Sequence, residues 1–335
     1  MSSEMPMKKS YSHNEHYKWG FGDAWFNPPQ ADGYFQVSIG ACTRPHGTFH
    51  DECVTAAKLI AEQFTKPIAI GLSGGFDSQV VCLSFKEAGI PFTPVILKLT
   101  NGEGKQYNTF DTDTAEEFCR QQGLEPIIEW LDVDDFYINR AWALIDEYCI
   151  TVAEIAVQLH LVIKYKDTHA YVNGGGDPVI HRAVGEDGSS YLTYSLGPTP
   201  IQQYLMDHDI EGCIKFFMYT PELIAAYLDH PLVHAYNNAH VAVHGPVEGV
   251  NIWMYYIKPM MYVQEWPQLV QVRKKTGFEH LPYMKKLRQL THRMHDWINP
   301  RAKKVSWRYE ELLEHLNSNT GEIKTWRSSD ETNYY

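Results

Sequence analysis

Pro67-Ile68-Ala69-Ile70-Gly71-Leu72-Ser73-Gly74-Gly75-Phe76-Asp77-Ser78 decides how the rest of the chain is read. Residues 67–72 form a short continuous apolar run, the pattern of a parallel strand covered on both faces. Gly74 and Gly75 then remove two β-carbons just before a helix, predicted over 77–88 and closed by Gly89. Backbone N–H groups can converge there with no side chains in the way, and free amides and the helix dipole favour an anion. Ser73 and Ser78 add hydroxyl donors at the two ends of the loop. Asp77 is an odd neighbour for a phosphate unless a cation lies between them, which assigns it to Mg2+. Neither G-x-x-x-x-G-K-[ST] nor G-x-G-x-x-G occurs. Kinase-like γ-phosphate transfer and dinucleotide binding are therefore disfavoured.

Outward from this loop the pattern alternates between helix and strand. A helix is predicted over 50–64, where Val54, Ala57, Leu59, Ile60 and Phe64 share a face. Strands follow at 92–99, 125–131 and 169–173, with helices at 112–122, 134–149 and 152–165 between them. That order is α/β, a doubly wound parallel sheet. Beyond Pro198 the strand signals fade, and helices are expected at 201–206, 221–228, 263–274, 283–297 and 306–316. The expected organisation is an N-terminal arm with a short strand (1–49) and a nucleotide-binding α/β domain (50–198). A C-terminal helical substrate or lid subdomain (199–320) and a polar tail (321–335) complete it.

A second glycine loop, Asn173-Gly174-Gly175-Gly176-Asp177, ends the fourth predicted strand. Loops after neighbouring parallel strands meet at the carboxyl edge of the sheet, where ligands bind. Gly174, Gly175 and Gly176 could bring backbone close to an α-phosphate, and Asp177 could be a second cation ligand.

Ser73 to Ser78 matches the S-G-G-x-D-S signature of PP-loop ATP pyrophosphatases, which cleave ATP to AMP and pyrophosphate while adenylating a substrate oxygen. The resemblance implies that 73–78 holds the pyrophosphate end of ATP and that Asp77 carries Mg2+. It also implies an adenine held by backbone groups near Ile70, Leu72, Leu97 and Leu99. Within that superfamily the chain looks most like the synthetase domain of asparagine synthetases, well over 50–180 and loosely over 200–290. Those enzymes carry a G-x-G-x-D segment with an acid between the glycines, and here Gly175 stands instead, so a base role on that acid cannot be transferred. Arg273-Lys274-Lys275-Thr276-Gly277-Phe278 is similar to their R-x-K-x-x-F segment. By position Lys275 is the lysine that neutralises the phosphates, and a fixed cation where charge develops is a large catalytic contribution. Glutamine-dependent members have a catalytic cysteine after the initiator methionine, where this chain has Ser2. Without a glutaminase domain, ammonia or another nitrogen donor is expected from a separate source.

Composition narrows the partners. A formal net charge of −12 opposes attraction to phosphate backbones, so nucleic acid is disfavoured. No run reaches the roughly 18–20 apolar residues of a membrane span, and residues 1–18 lack the apolar core of a signal peptide. Six cysteines include no C-x-x-C pair and are read as reduced, mostly buried thiols. A cytoplasmic location is expected. Asp132, Asp134 and Asp135 read as a helix start, and His230, His234, His240 and His244 have no zinc spacing. His181 and Arg182 could touch substrate, while Trp253, Tyr255 and Tyr256 before Lys258 suggest a pocket wall or a buried strand.

These features are best joined by a ligase that uses ATP and Mg2+. It would form AMP and pyrophosphate, adenylating a carboxylate or amide-type oxygen of a small molecule for attack by a nitrogen nucleophile. A nucleobase- or tRNA-modifying PP-loop enzyme is one alternative, and a non-catalytic ATP- or AMP-binding protein is another.

Overall fold

The computed structural model describes residues 17–21, 35–148, 150, 153–176, 178, 180–184, 190–196, 200–242, 256–270 and 305–327. Numbered along the chain, five parallel strands form the central sheet. Their order is β5 (Ile127–Asp132), β4 (Phe92–Thr100), β3 (Ile68–Gly71), β6 (Ala170–Val172) and β9 (Gly212–Cys213). The chain steps outward from β3 to β4 to β5, then crosses back to β6 and on to β9. The direction reverses between β3 and β6, and at such a switch point the carboxyl ends of the strands open a crevice.

Alternation along each strand divides the core between two helical layers. Ile68, Ile70, Ile96, Val172 and Cys213 pack with α1 (Phe49–Gln63), α2 (Phe76–Glu87) and α3 (Thr109–Gln122). Ala69, Val95, Leu99 and Tyr171 pack with α4 (Val133–Asn139), α5 (Ala141–Glu147), α6 (Ala153–Tyr165) and α7 (Pro200–Asp207). The sheet is thus covered on both faces, as its apolar strands require, and the doubly wound α/β class is met. Local signals act where they stand. Thr48 caps α1 by accepting from Asp51 N–H at 3.1 Å. Gly123 ends α3 in the left-handed conformation. Asp132 caps α4 by accepting from the amides of Asp134 and Asp135.

The second half of the chain departs from the helical reading in several places. Helices α8 (Pro221–Leu228), α9 (Pro231–Ala242), α10 (Lys258–Glu265) and α11 (Tyr309–Asn317) are present. Buried residues of α8, α10 and α11 share one core with α1 and α2. The helix expected over 263–274 instead begins at Lys258, with Pro259 suiting its first turn, and ends at Glu265. Residues 306–308, expected to be helical, belong to strand β10 (Val305–Arg308). It pairs antiparallel with β8 (Ser190–Leu196), which in turn pairs with β7 (Ile180–Val184). Within the stretch read as a polar tail, β11 (Ile323–Arg327) pairs with β2 (Phe35–Gly40), whose other edge holds β1 (Tyr17–Phe21). β11 is mostly exposed, so it carries no apolar alternation to read, and its partner lies nearly three hundred residues upstream. The helix expected over 283–297 and Cys149 lie outside the described residues. Cys42, Cys53, Cys82, Cys119 and Cys213 are free and buried. Among the described residues no helix is long and apolar enough to cross a membrane.

Glu211 fixes the approach to β3 and makes it pH-sensitive. Its carboxylate accepts from Thr65 N–H at 2.9 Å, Lys66 N–H at 3.0 Å and the Thr65 hydroxyl at 2.6 Å. Burial raises its pKa, but these bonds together outweigh burial and hold it below the ordinary glutamate value of 4.5. Because the folded value is depressed, the stabilisation is complete above 4.5 and is lost as pH falls through the folded value. Glu211→Gln is expected to cost about 1–2 kcal/mol at neutral pH. In urea titrations its deficit against wild type should shrink below pH 4.5. A deficit that persists unchanged in acid would show that the charge is not what stabilises.

Candidate functional site

The loop after β3 is held from within and from three sides. Leu72 N–H donates to Val95 C=O at 2.9 Å, so the strand stays paired up to the loop. The Ser78 hydroxyl donates to Gly75 C=O at 2.9 Å and accepts from Ser73 N–H at 3.2 Å. Ser78 therefore shapes the loop, and the hydroxyl of Ser73 lies 3.3 Å from it. Gly75 is the N-cap of α2 and, having no side chain, makes no side-chain cap. The helix's first-turn amides, unsatisfied within any helix, remain the local positive pole.

Gly74 has φ +82°, and a β-carbon there would collide with the carbonyl oxygen of Asp111 on α3. On the other flank the second glycine loop closes against the first. A β-carbon at Gly174 would meet the Asp77 backbone at 3.0 Å and Ser78 N at 3.2 Å. Gly175 lies under the carbonyl oxygen of Ile214, so no side chain fits there, and Phe217 N–H donates to Gly175 C=O at 3.2 Å. An acidic side chain at position 175 has no room in this chain. Both loops thus meet at the switch point, as expected, and neighbouring backbone comes close at Gly74, Gly174 and Gly175.

The cation at this loop comes from α10. Lys258 Nζ lies 2.8 Å from Asp77 Oδ1 and 2.9 Å from Oδ2. The lysine is 6% exposed, and the side chain of Asp77 is 28% exposed. A buried ammonium is costly unless paired, and Asp77 is a partner that offsets this cost. Lys258 also lies over the Tyr262 ring, 5.6 Å from its centroid. Fully buried Gln79 ties α10's trailing segment to the loop. Its carboxamide donates to Gly74 C=O at 2.8 Å and Val270 C=O at 3.0 Å, and accepts from Val270 N–H at 2.9 Å.

Lys275 and Asp177, expected as the phosphate lysine and a second metal ligand, lie outside the described residues, as do Trp253, Tyr255 and His244. So do the side chains of His181, Arg182 and His240. Ile70, Leu72 and Leu99 have buried side chains, and Leu97 is half-buried. Tyr256 is exposed. His230 pairs with Glu265 and His234 with Asp229, and no metal cluster occurs among the described residues. Reading by sequence missed Lys258 and Gln79. One signal was available: Lys258 stands in an apolar and aromatic run, Tyr255-Tyr256-Ile257-Lys258-Pro259-Met260-Met261-Tyr262, where a charge is out of place.

No known family model matches the chain, and no curated protein does. Some solved structures are similar to the chain in part. An ammonia-dependent NAD synthetase from Campylobacter jejuni is 15% identical with a TM-score of 0.28, over 39% of this chain and 58% of that one. An NMN synthetase from Francisella tularensis is 17% identical with a TM-score of 0.28, over 37% and 52%. A U34-tRNA thiolase from Methanococcus maripaludis, solved with its [4Fe-4S] cluster, is 11% identical with a TM-score of 0.34, over 81% and 79%. The chain spans a little over half the length of the two synthetases. The functional reading therefore stands on the loops themselves.

Proposed function

We infer that the chain is an ATP-using enzyme of the PP-loop type, forming AMP and pyrophosphate. The observation that carries this reading is the buried Lys258–Asp77 pair at the meeting point of two glycine-bared loops. The first-turn amides of α2 suit the oxygens of a pyrophosphoryl group, and Lys258 supplies a fixed positive charge where negative charge develops as pyrophosphate leaves. The 174–176 backbone stands beside them, where an α-phosphate would lie. Mg2+ would offset triphosphate charge, and Asp77 suits it, because magnesium is usually held by one or two carboxylates with phosphate oxygens. Asp77 would then lie between Mg2+ and Lys258. Lys275 and Asp177 remain proposed as a second cation and a second metal ligand.

In the finer reading, a carboxylate or amide-type oxygen attacks the α-phosphorus and pyrophosphate departs. A nitrogen nucleophile then displaces AMP from the activated carbon. No side chain at Gly175 can serve as base, so ammonia or a neutral amine suits the site, and the proton it loses as the C–N bond forms passes to the departing AMP phosphate or to water. The protein should catalyse acid-dependent exchange of labelled pyrophosphate into ATP before any amine is added, and release AMP once an amine is present. Release of ADP and phosphate instead excludes the reading.

A further inference from the structure

Leu97 and Leu99 lie beyond the end of β3, on the side of β4 that faces the switch point. β3 pairs with β4 only as far as Gly71, opposite Val95. Alternate residues of a strand point their backbone groups the same way, so those of Leu97 and Leu99 project where β3 has stopped. Tyr107 N–H closes on Leu99 C=O at 2.8 Å. Of the other groups, Leu97 C=O and Leu99 N–H are both met by one side chain. Asn108 Nδ2 donates to Leu97 C=O at 2.7 Å, and Asn108 Oδ1 accepts from Leu99 N–H at 2.9 Å. A backbone carbonyl can only accept and an N–H can only donate, so the orientation of the amide is fixed.

Asn108 is also the N-cap of α3, where an asparagine oxygen ordinarily accepts from the second or third helical amide. Here it makes no such cap. Its carboxamide is turned from its own helix to the strand edge, leaving it a second place to go. The adjacent donor and acceptor it offers the strand are those of an amidine edge, the amino group and bare ring nitrogen of adenine. A lactam edge, as in guanine, has the reverse order and would set its carbonyl against that of Leu97.

We propose that Asn108 is a placeholder for the nucleobase. Adenine takes its two hydrogen bonds to Leu97 and Leu99, and the displaced carboxamide caps α3. This inference rests on the ATP reading, which already entails selection of an amino over a lactam base, and adds to it competition between side chain and ligand. Titration calorimetry of the full chain with Mg-ATP, Mg-GTP and Mg-pyrophosphate tests both. Wild type should bind ATP at least about tenfold more tightly than GTP, and Asn108→Ala should bind ATP several-fold more tightly with pyrophosphate affinity unchanged, on the usual worth of one or two hydrogen bonds. Asn108→Ser can cap the helix but cannot span both strand groups, and gives the same expectation if the alanine variant does not fold. Variants whose ATP and pyrophosphate affinities fall together would overturn the placeholder and leave the ATP reading standing. Wild type that binds GTP as tightly as ATP, or binds neither ATP nor pyrophosphate, removes both.

Discussion

Asp77→Ala is expected to destabilise the protein by about 3 kcal/mol or more, and Lys258→Met by only about 1 kcal/mol. The two residues form one ion pair, yet they are buried unequally: the lysine is 6% exposed and the aspartate side chain 28%. Removing Asp77 takes a carboxylate partner from an ammonium that is almost wholly shielded, whereas removing Lys258 leaves an aspartate whose side chain is partly open to water, although its Oδ1 is buried. Methionine keeps a stem of similar length, although it gives up the contact of the ammonium with the Tyr262 ring. Urea denaturation of both variants checks the order, and equal losses would mean that the pair is more open than its geometry indicates. On the proposed function, turnover should fall about 100-fold or more in both, since Lys258→Met removes the fixed cation and Asp77→Ala the carboxylate that would hold Mg2+. Lys258→Met is expected to stay folded, so its loss would be read directly as a fall in pyrophosphate exchange. Full exchange in that variant would hand the role to another cation.

Gly74→Ala is expected to cost about 2–5 kcal/mol, combining the strain of a left-handed alanine with a collision against the Asp111 carbonyl. Gly104→Ala provides a matched comparison. Gly104 has nearly the same φ, +78° against +82°, but nothing within 4 Å of an added β-carbon. It should therefore show the backbone strain alone, about 1–2 kcal/mol. The difference between the two variants measures how firmly α3 presses on the phosphate loop. If the two losses agree, the loop can yield, and its amides are not rigidly aimed. If Gly74→Ala is the worse by several kcal/mol, the loop is preorganised, and the cost of ordering it around a ligand has been met in folding.

What the chain's own order of residues determined is local. The apolar run at 67–72, the glycines after it and the alternation of helix and strand as far as residue 173 settle the parallel sheet. Hydrophobic period and backbone permissiveness act within a few residues, so strands β3 to β6 and helices α1 to α3 were legible. The two glycine loops were legible too, because parallel strands always bring their carboxyl ends to one edge. Lys258, Gln79 and Asn108 were not. Each acquires its role from a group far along the chain or across a turn: Lys258 from Asp77, Gln79 from Val270, Asn108 from the edge of β4. The closure of Gly175 depends on a carbonyl of the β9 segment, and β11 on a partner near the other end of the chain. Pairings of this kind leave no periodic trace, because packing of distant segments selects them after the local elements have formed. Tertiary structure alone decided which lysine faces the loop and which side chain now holds the edge of the sheet.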